Sequence, residues 1–234
     1  MIRIVAALVS ALCLSGCAST YVGKPYERAS AGVTSIGLVG DALPEKANVP
    51  EIASIGSNFG LVGALVNAGI QASREKEVND ALSGAGFNAE TALQARITSR
   101  LADQGYRVAP LDTAARAKRD FLPAYAAPAQ PVDAYLDVAV QSFGYLSAGA
   151  FKPFRPFAVA KVRLVSARDK SRTLMENTIA YNPIYPQKGI ITLTPNPNYE
   201  FNNRAALLAD PKRLSAGLED ALGQVADTVA QLLR

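Results

Sequence analysis

Apolar and polar positions divide the chain into distinct runs. Val33 to Val39 (VTSIGLV) is β-branched and flanked by glycines, which predicts a strand. Ile52 to Ser73 (IASIGSNFGLVGALVNAGIQAS) carries no charge, and in it Gly56, Gly60, Ala64, Ala68 and Ala72 fall on every fourth residue. On a helix these form one ridge of small side chains beside an apolar stripe of Ile55, Phe59, Val62 and Val66. Arg74 to Leu82 continues as a charged helical end, and Gly84-Ala85-Gly86 stops it. Asn88 suits an N-cap with Glu90 in the first turn; Leu93, Ile97 and Leu101 share a face, and Gly105 suits the position just past the helix end. Tyr106 to Leu111 predicts a short strand, Thr113 to Asp120 a short basic helix or turn, and residues 126–131 a loop.

Three extended runs follow. Ala134 to Tyr145 places Leu136, Val138 and Val140 on one face. Phe157 to Ser166 sets Val162 and Leu164 opposite Lys161 and Arg163. Thr173 to Tyr181 returns through the turn Asp169-Lys170-Ser171 to complete a hairpin. Residues 182–200 are rich in Pro, Asn and Tyr around a short apolar ITLT. Asp210 and Pro211 suit the cap and first position of a last helix, with Leu214, Leu218, Leu222, Val225, Val229 and Leu232 on one face. The expected fold is α/β: a single mixed sheet of about five strands with helices packed on it, in the order β-α-β-α-β-β-β-α. It would occupy one domain over 33–234, with a Gly/Ala-rich helical insertion at 41–87.

The first residues read differently. Met1-Ile2-Arg3 is basic, and Ile4 to Leu14 is apolar but far short of the ~20 residues that a spanning helix needs. The run ends in Leu14-Ser15-Gly16-Cys17, which resembles the lipobox of bacterial lipoproteins. The resemblance implies a signal peptide over 1–16, cleavage before Cys17, and a diacylglyceryl thioether on that cysteine with an acylated amino group. Two or more acyl chains make a stable membrane anchor. Ala18 stands where an Asp would signal inner-membrane retention, so the family rule places the protein at the outer membrane, facing the periplasm. The polar, Gly- and Pro-containing residues that follow make 17–32 an expected flexible tether.

Composition narrows the chemistry. There is no His, and the two cysteines are Cys13, within the signal, and Cys17. His-based triads, HExxH zinc sites and thiolate chemistry are thereby excluded from the processed domain, and neither a metal nor a cofactor is expected. The net charge is +4 without a basic run, which gives no footprint for nucleic acid. Ser73-Arg74-Glu75-Lys76 matches the SxxK of serine acyl enzymes, but SDN and KTG elements are missing. Glu219 and Asp220 are adjacent on a helix and do not face each other. No catalytic residue is therefore assigned.

Two features suggest contacts. The ridge Gly56, Gly60, Ala64, Ala68, Ala72 permits close approach of a helix in the same chain, in another copy or protein, or of lipid. The connection Phe151-Lys152-Pro153-Phe154-Arg155-Pro156-Phe157 is stiffened by prolines, and its Phe151, Phe154, Arg155 and Phe157 are hot-spot residue types. The alternative is a loop that folds onto the domain and buries its own rings.

The element order, with Gly105-Tyr106-Arg107-Val108 and Val162 to Asp169 (VRLVSARD), resembles a family of periplasmic α/β domains. That family includes the N-terminal domain of TolB, the penicillin-binding-protein activator lipoprotein LpoB and the curli-secretion lipoprotein CsgG. Ser166 to Leu174 takes the place of its strand-ending turn, without the turn's Gly. The resemblance implies a non-catalytic binding or assembly role in the envelope, with the membrane through Cys17 and an envelope protein or a second copy as partners. A subunit of an outer-membrane secretion or transport complex is the second expectation, although the link between the 134–145 and 157–166 runs is short for membrane hairpins. A carboxylate- or Ser-Lys-based hydrolase is the third.

Overall fold

Six strands pair in the order β2-β1-β3-β4-β5-β6. They are β1 (Ser35–Val39), β2 (Arg107–Leu111), β3 (Ala134–Ser147), β4 (Phe154–Ser166), β5 (Thr173–Tyr181) and β6 (Ile191–Leu193). The computed structural model describes residues 23–51, 60–113, 116–149, 151–183 and 188–234, except the side chains of 60–70. The segment expected as a signal peptide, Cys17 and Gly56 lie outside the described residues. The helices are α1 (Arg28–Ala31), α2 (Gly60–Gly84), α3 (Ala89–Asp103), α4 (Arg204–Ala209) and α5 (Pro211–Gln231). β1 is parallel to β2 and β3, β3-β4-β5 is an antiparallel meander, and β6 adds a parallel edge strand at the ITLT segment. The α/β fold with one mixed sheet is as the pattern predicts, with one strand more.

Local signals set the helix ends. Asn88 Oδ1 accepts from the Thr91 amide at 2.9 Å, and Gly105 takes a φ of 86° past the end of α3. Asp210 accepts from the Arg213 amide at 3.0 Å, and Pro211 opens α5. Leu214, Leu218, Leu222, Val225 and Val229 are buried; Leu232 is half-buried against the same core, and Leu233 is fully buried beside it. Leu93, Ile97 and Leu101 of α3 and Val78 and Leu82 of α2 enter the same core, against Leu136, Val138, Val162 and Leu164 of the sheet.

The expected one-sided burial of β3 is too simple, because Tyr135, Asp137 and Ala139 are also buried, on the opposite face. Topology explains this. The β1-to-β2 crossover carries α2 and α3 over one face. The β2-to-β3 connection runs back past β1 in the other direction, so a right-handed crossover must use the other face. The basic helix or turn expected at 113–120 is a series of bends over the described residues 117–120. Its arginines are drawn onto acceptors beneath it: Arg116 Nε donates to Asp41 O at 2.7 Å and Arg119 Nη1 to Leu43 O at 2.6 Å.

The tether expectation needs a correction over 23–32. Lys24 exchanges backbone hydrogen bonds with Glu176 at 2.8 and 3.1 Å, and Tyr26 packs on the core. The Arg28 guanidinium stacks 4.5 Å from the centre of the Tyr106 ring and donates to Gln104 O at 2.8 Å. This docking fixes one end of the molecule, the base, which also holds the β4–β5 turn. The opposite end, the apex, carries the β3–β4 hairpin. Glu176 lies across from Arg163 and Phe154 across from Ser147, so base and apex are roughly 30 Å apart at ~3.3 Å per residue. At the β2 edge, Pro110 is exposed where an amide would point outward, which blunts the edge against further strand pairing.

Candidate functional site

The apical hairpin separates the four residues that the sequence grouped. The turn is braced by the Ser147 hydroxyl, 2.8 Å from Gly149 O and 2.9 Å from Lys152 O, and by the Lys152 amide donating to Gly149 O at 3.0 Å. Phe151 sits in the left-handed region with φ 64°, an uncommon conformation for a bulky residue. Its ring stands wholly in solvent at 103 % relative exposure, and among the described residues it is the one large apolar side chain so placed. Phe154 and Phe157 are buried instead, at 5 % and 7 %. They are not contact residues, because β4 starts at Phe154, three residues earlier than expected. Phe154 exchanges backbone hydrogen bonds with Phe201 at 2.7 and 2.9 Å, and that non-local bridge extends the strand. Arg155 is exposed but pairs with Glu200 at 2.7 Å.

The small-residue ridge is only partly in view. Gly60, Ala64 and Ala68 belong to α2, with side-chain surroundings outside the description, and Ala72 is exposed. At Ala72 the ridge is therefore not packed within this chain. The helix buries Val78 and Leu82 instead; Val78 lies about 120° round the axis from Ala72. Arg74 reaches Glu51 at 2.7 Å, and the Asn79 amide clasps both backbone groups of Ala47 at 2.9 Å.

The catalytic motifs do not assemble. Lys76 Nζ lies 2.6 Å from Asp80, which raises its pKa and keeps it a cation rather than a base for Ser73. Asp220 accepts the Tyr181 hydroxyl at 2.9 Å, while Glu219 is exposed. Both line an open groove of about 300 Å³ between α3 and α5, with Arg96, Tyr199, Gly223 and Asp227. Asp227 is occupied: hydrogen bonds from Arg96 above all, and from Arg100, hold its pKa down at about 2. Among the described residues no cluster of acidic, His or Cys side chains could hold a metal, and no helix is long and apolar enough to cross a membrane.

A polar centre that the sequence reading missed lies on the outer face of the sheet. Asp137 is fully buried in β3 and pairs with Arg116 at 2.8 Å, itself almost fully buried. Its other oxygen accepts from the Leu122 amide at 2.9 Å and the Tyr125 hydroxyl at 3.0 Å. Burial, and then the Asp137 charge, push the Tyr125 phenol up to about 12, so it remains a donor. The available signal was a lone carboxylate inside the otherwise apolar run LDVAV.

No family model matches the chain, and no curated protein does. Among solved structures it is similar to the crystal structure of protein XCC0632 from Xanthomonas campestris, family model DUF330. The two are 15 % identical, with a TM-score of 0.36, over 59 % of this chain and 57 % of that one. The match thus spans little more than half the length of that structure.

Proposed function

We propose that this is a lipid-anchored binding or assembly protein of the bacterial envelope, held at the outer membrane by Cys17, which presents its apical hairpin to a protein partner in the periplasm. Phe151 is the observation that carries the reading. An apolar ring in water forgoes roughly 2–3 kcal/mol of burial, and a left-handed backbone at such a residue costs about 1–3 kcal/mol. Two unfavourable choices at one position, on a braced turn, suit a side chain kept for a contact made elsewhere. The sheet direction supports it. Docking of residues 23–31 at the base leaves 18–22 to span from the lipidated cysteine, ~20 Å at full extension, while the tip lies about 30 Å beyond the base. The link between β3 and β4, residues 148–153, is too short for a pair of membrane-crossing strands, which need about 9–11 residues each. Replacing Cys17 tests the anchor. Cys17→Ser is expected to abolish lipid labelling and release the protein from membranes. If the variant still sediments with membranes after salt and carbonate washes, the anchor lies elsewhere.

A further inference from the structure

Residues 116–133 cross the outer face of the sheet without a helix or strand of their own. Connections longer than ~12–15 residues that lack secondary structure are uncommon in compact domains and usually have a task. Little apolar surface holds this one: Tyr125, Leu122 and Val132 rest on Val39, Leu111, Tyr135, Val165 and Ala167. Tyr125 stacks on Tyr135 with ring centres 4.9 Å apart.

The polar contacts, by contrast, converge. Asp137 is a fully buried carboxylate of the sheet beneath this segment, and it meets Arg116, the Leu122 amide and Tyr125 at once. Arg116 ties the start of the segment to the end of β1 through Gly40 O and Asp41 O, also donates to Asp120 O within the segment, and its amide donates to the Asp41 carboxylate. Arg163 of β4 donates to Leu122 O at 3.0 Å and to the Tyr125 hydroxyl at 2.7 Å, with its guanidinium 4.4 Å from the Phe121 ring centre. Lys161 reaches Asp120 at 3.2 Å, and Lys170 donates to Tyr125 O at 3.1 Å.

A buried ion pair is close to neutral against an apolar pair of the same shape, but removing one partner strands the other charge in low dielectric. Such a contact behaves as a latch, because it is either complete or unfavourable. Segments with few buried apolar contacts open locally at free energies below global unfolding. We infer that residues 116–132 form a releasable strap, latched on Asp137, which opens as one unit about Asp133, whose carboxylate is held by the amides and hydroxyls of Thr34 and Ser35. Its release uncovers a sheet face of Tyr135, Val39 and Val165 bordered by Lys161 and Arg163, so the strap is the built-in cover of that face. This does not depend on the apical reading.

Hydrogen exchange of the full-length protein in detergent micelles tests it, through the Leu122 and Arg116 amides. The first is bonded to Asp137 and the second to Asp41, so the two share no acceptor. In the wild type both are expected to exchange together, about tenfold or more faster than the amides of β3 and β4. Asp137→Asn should accelerate both a further tenfold or so and leave β4 and β5 protected. Tyr125→Phe, which keeps the ring and the charge pair, should do the same by a smaller factor, and it decides the matter if Asp137→Asn does not fold. Acceleration of Leu122 alone would mean the loss of one local hydrogen bond and no strap. Acceleration of the strap and the sheet by the same factor, or equal protection of both in the wild type, would equally overturn the inference.

Discussion

Gly144→Ala should come close to unfolding the domain. Gly144 lies in β3 with a φ of 145°, where an L side chain is strained. The segment around Asn48 runs directly against it: the Asn48 amide donates to Phe143 O at 2.8 Å, and the Tyr145 amide donates to Asn48 O at 3.0 Å. A methyl group at 144 would lie 1.9 Å from Asn48 O and 2.7 Å from Asn48 N. Both are backbone atoms already committed to hydrogen bonds, so no side chain can swing away. Overpacking at about 1–3 kcal/mol and backbone strain at about 1–3 kcal/mol add to roughly 2–6 kcal/mol, a large part of the ~5–15 kcal/mol typical of a domain. A denaturant titration reads this directly. Gly223→Ala on α5 is the internal control, since nothing lies within 4 Å of the added carbon. It should be neutral or stabilise by about 0.5–1 kcal/mol, as expected for a mid-helix Gly. Gly144→Ala unfolding at the wild-type midpoint would show that the Asn48 segment does not pack there.

The second large effect is a contrast within one hairpin. Phe154→Ala should cost about 3–5 kcal/mol, the range for truncating a buried aromatic ring. Phe154 is part of the main core and is bridged to Phe201, whose ring meets Tyr145 edge-on at 5.5 Å between centres. Phe151→Ala, three residues away, should leave the unfolding midpoint within about 0.5 kcal/mol, because its ring touches water. Equal losses in the two variants would mean that Phe151 packs against the domain and is not held out for a partner.

The legibility of each feature follows from the range of the interactions that make it. The Asn88 cap and Glu90, Gly105, and the Asp210-Pro211 start are decided by neighbours a few residues away, and the structure has them where the pattern predicts. Strands β3 and β5 and the helix faces of α3 and α5 were legible through periodicity alone. Non-local features were not. The early start of β4 depends on pairing with Phe201, and the docking of residues 23–31 depends on Glu176 and Gln104. Residues 113–120 look like a basic helix or turn in isolation. Asp137, more than ten residues further on, draws them across the sheet instead. For the same reason the contact segment 151–157 could be chosen by residue type but not resolved into one exposed ring, one ion-paired arginine and two core rings.

On the proposed function, the apex meets a protein partner through Phe151 while the base stays near the membrane. A photo-crosslinking benzoyl-phenylalanine at position 151 of the full-length protein, irradiated in intact cells, tests it most directly, with position 168 on the exposed β4–β5 turn at the base as the comparison. A discrete protein adduct is expected from 151 and not from 168. No protein adduct from 151, or the same adducts from both positions, would contradict it.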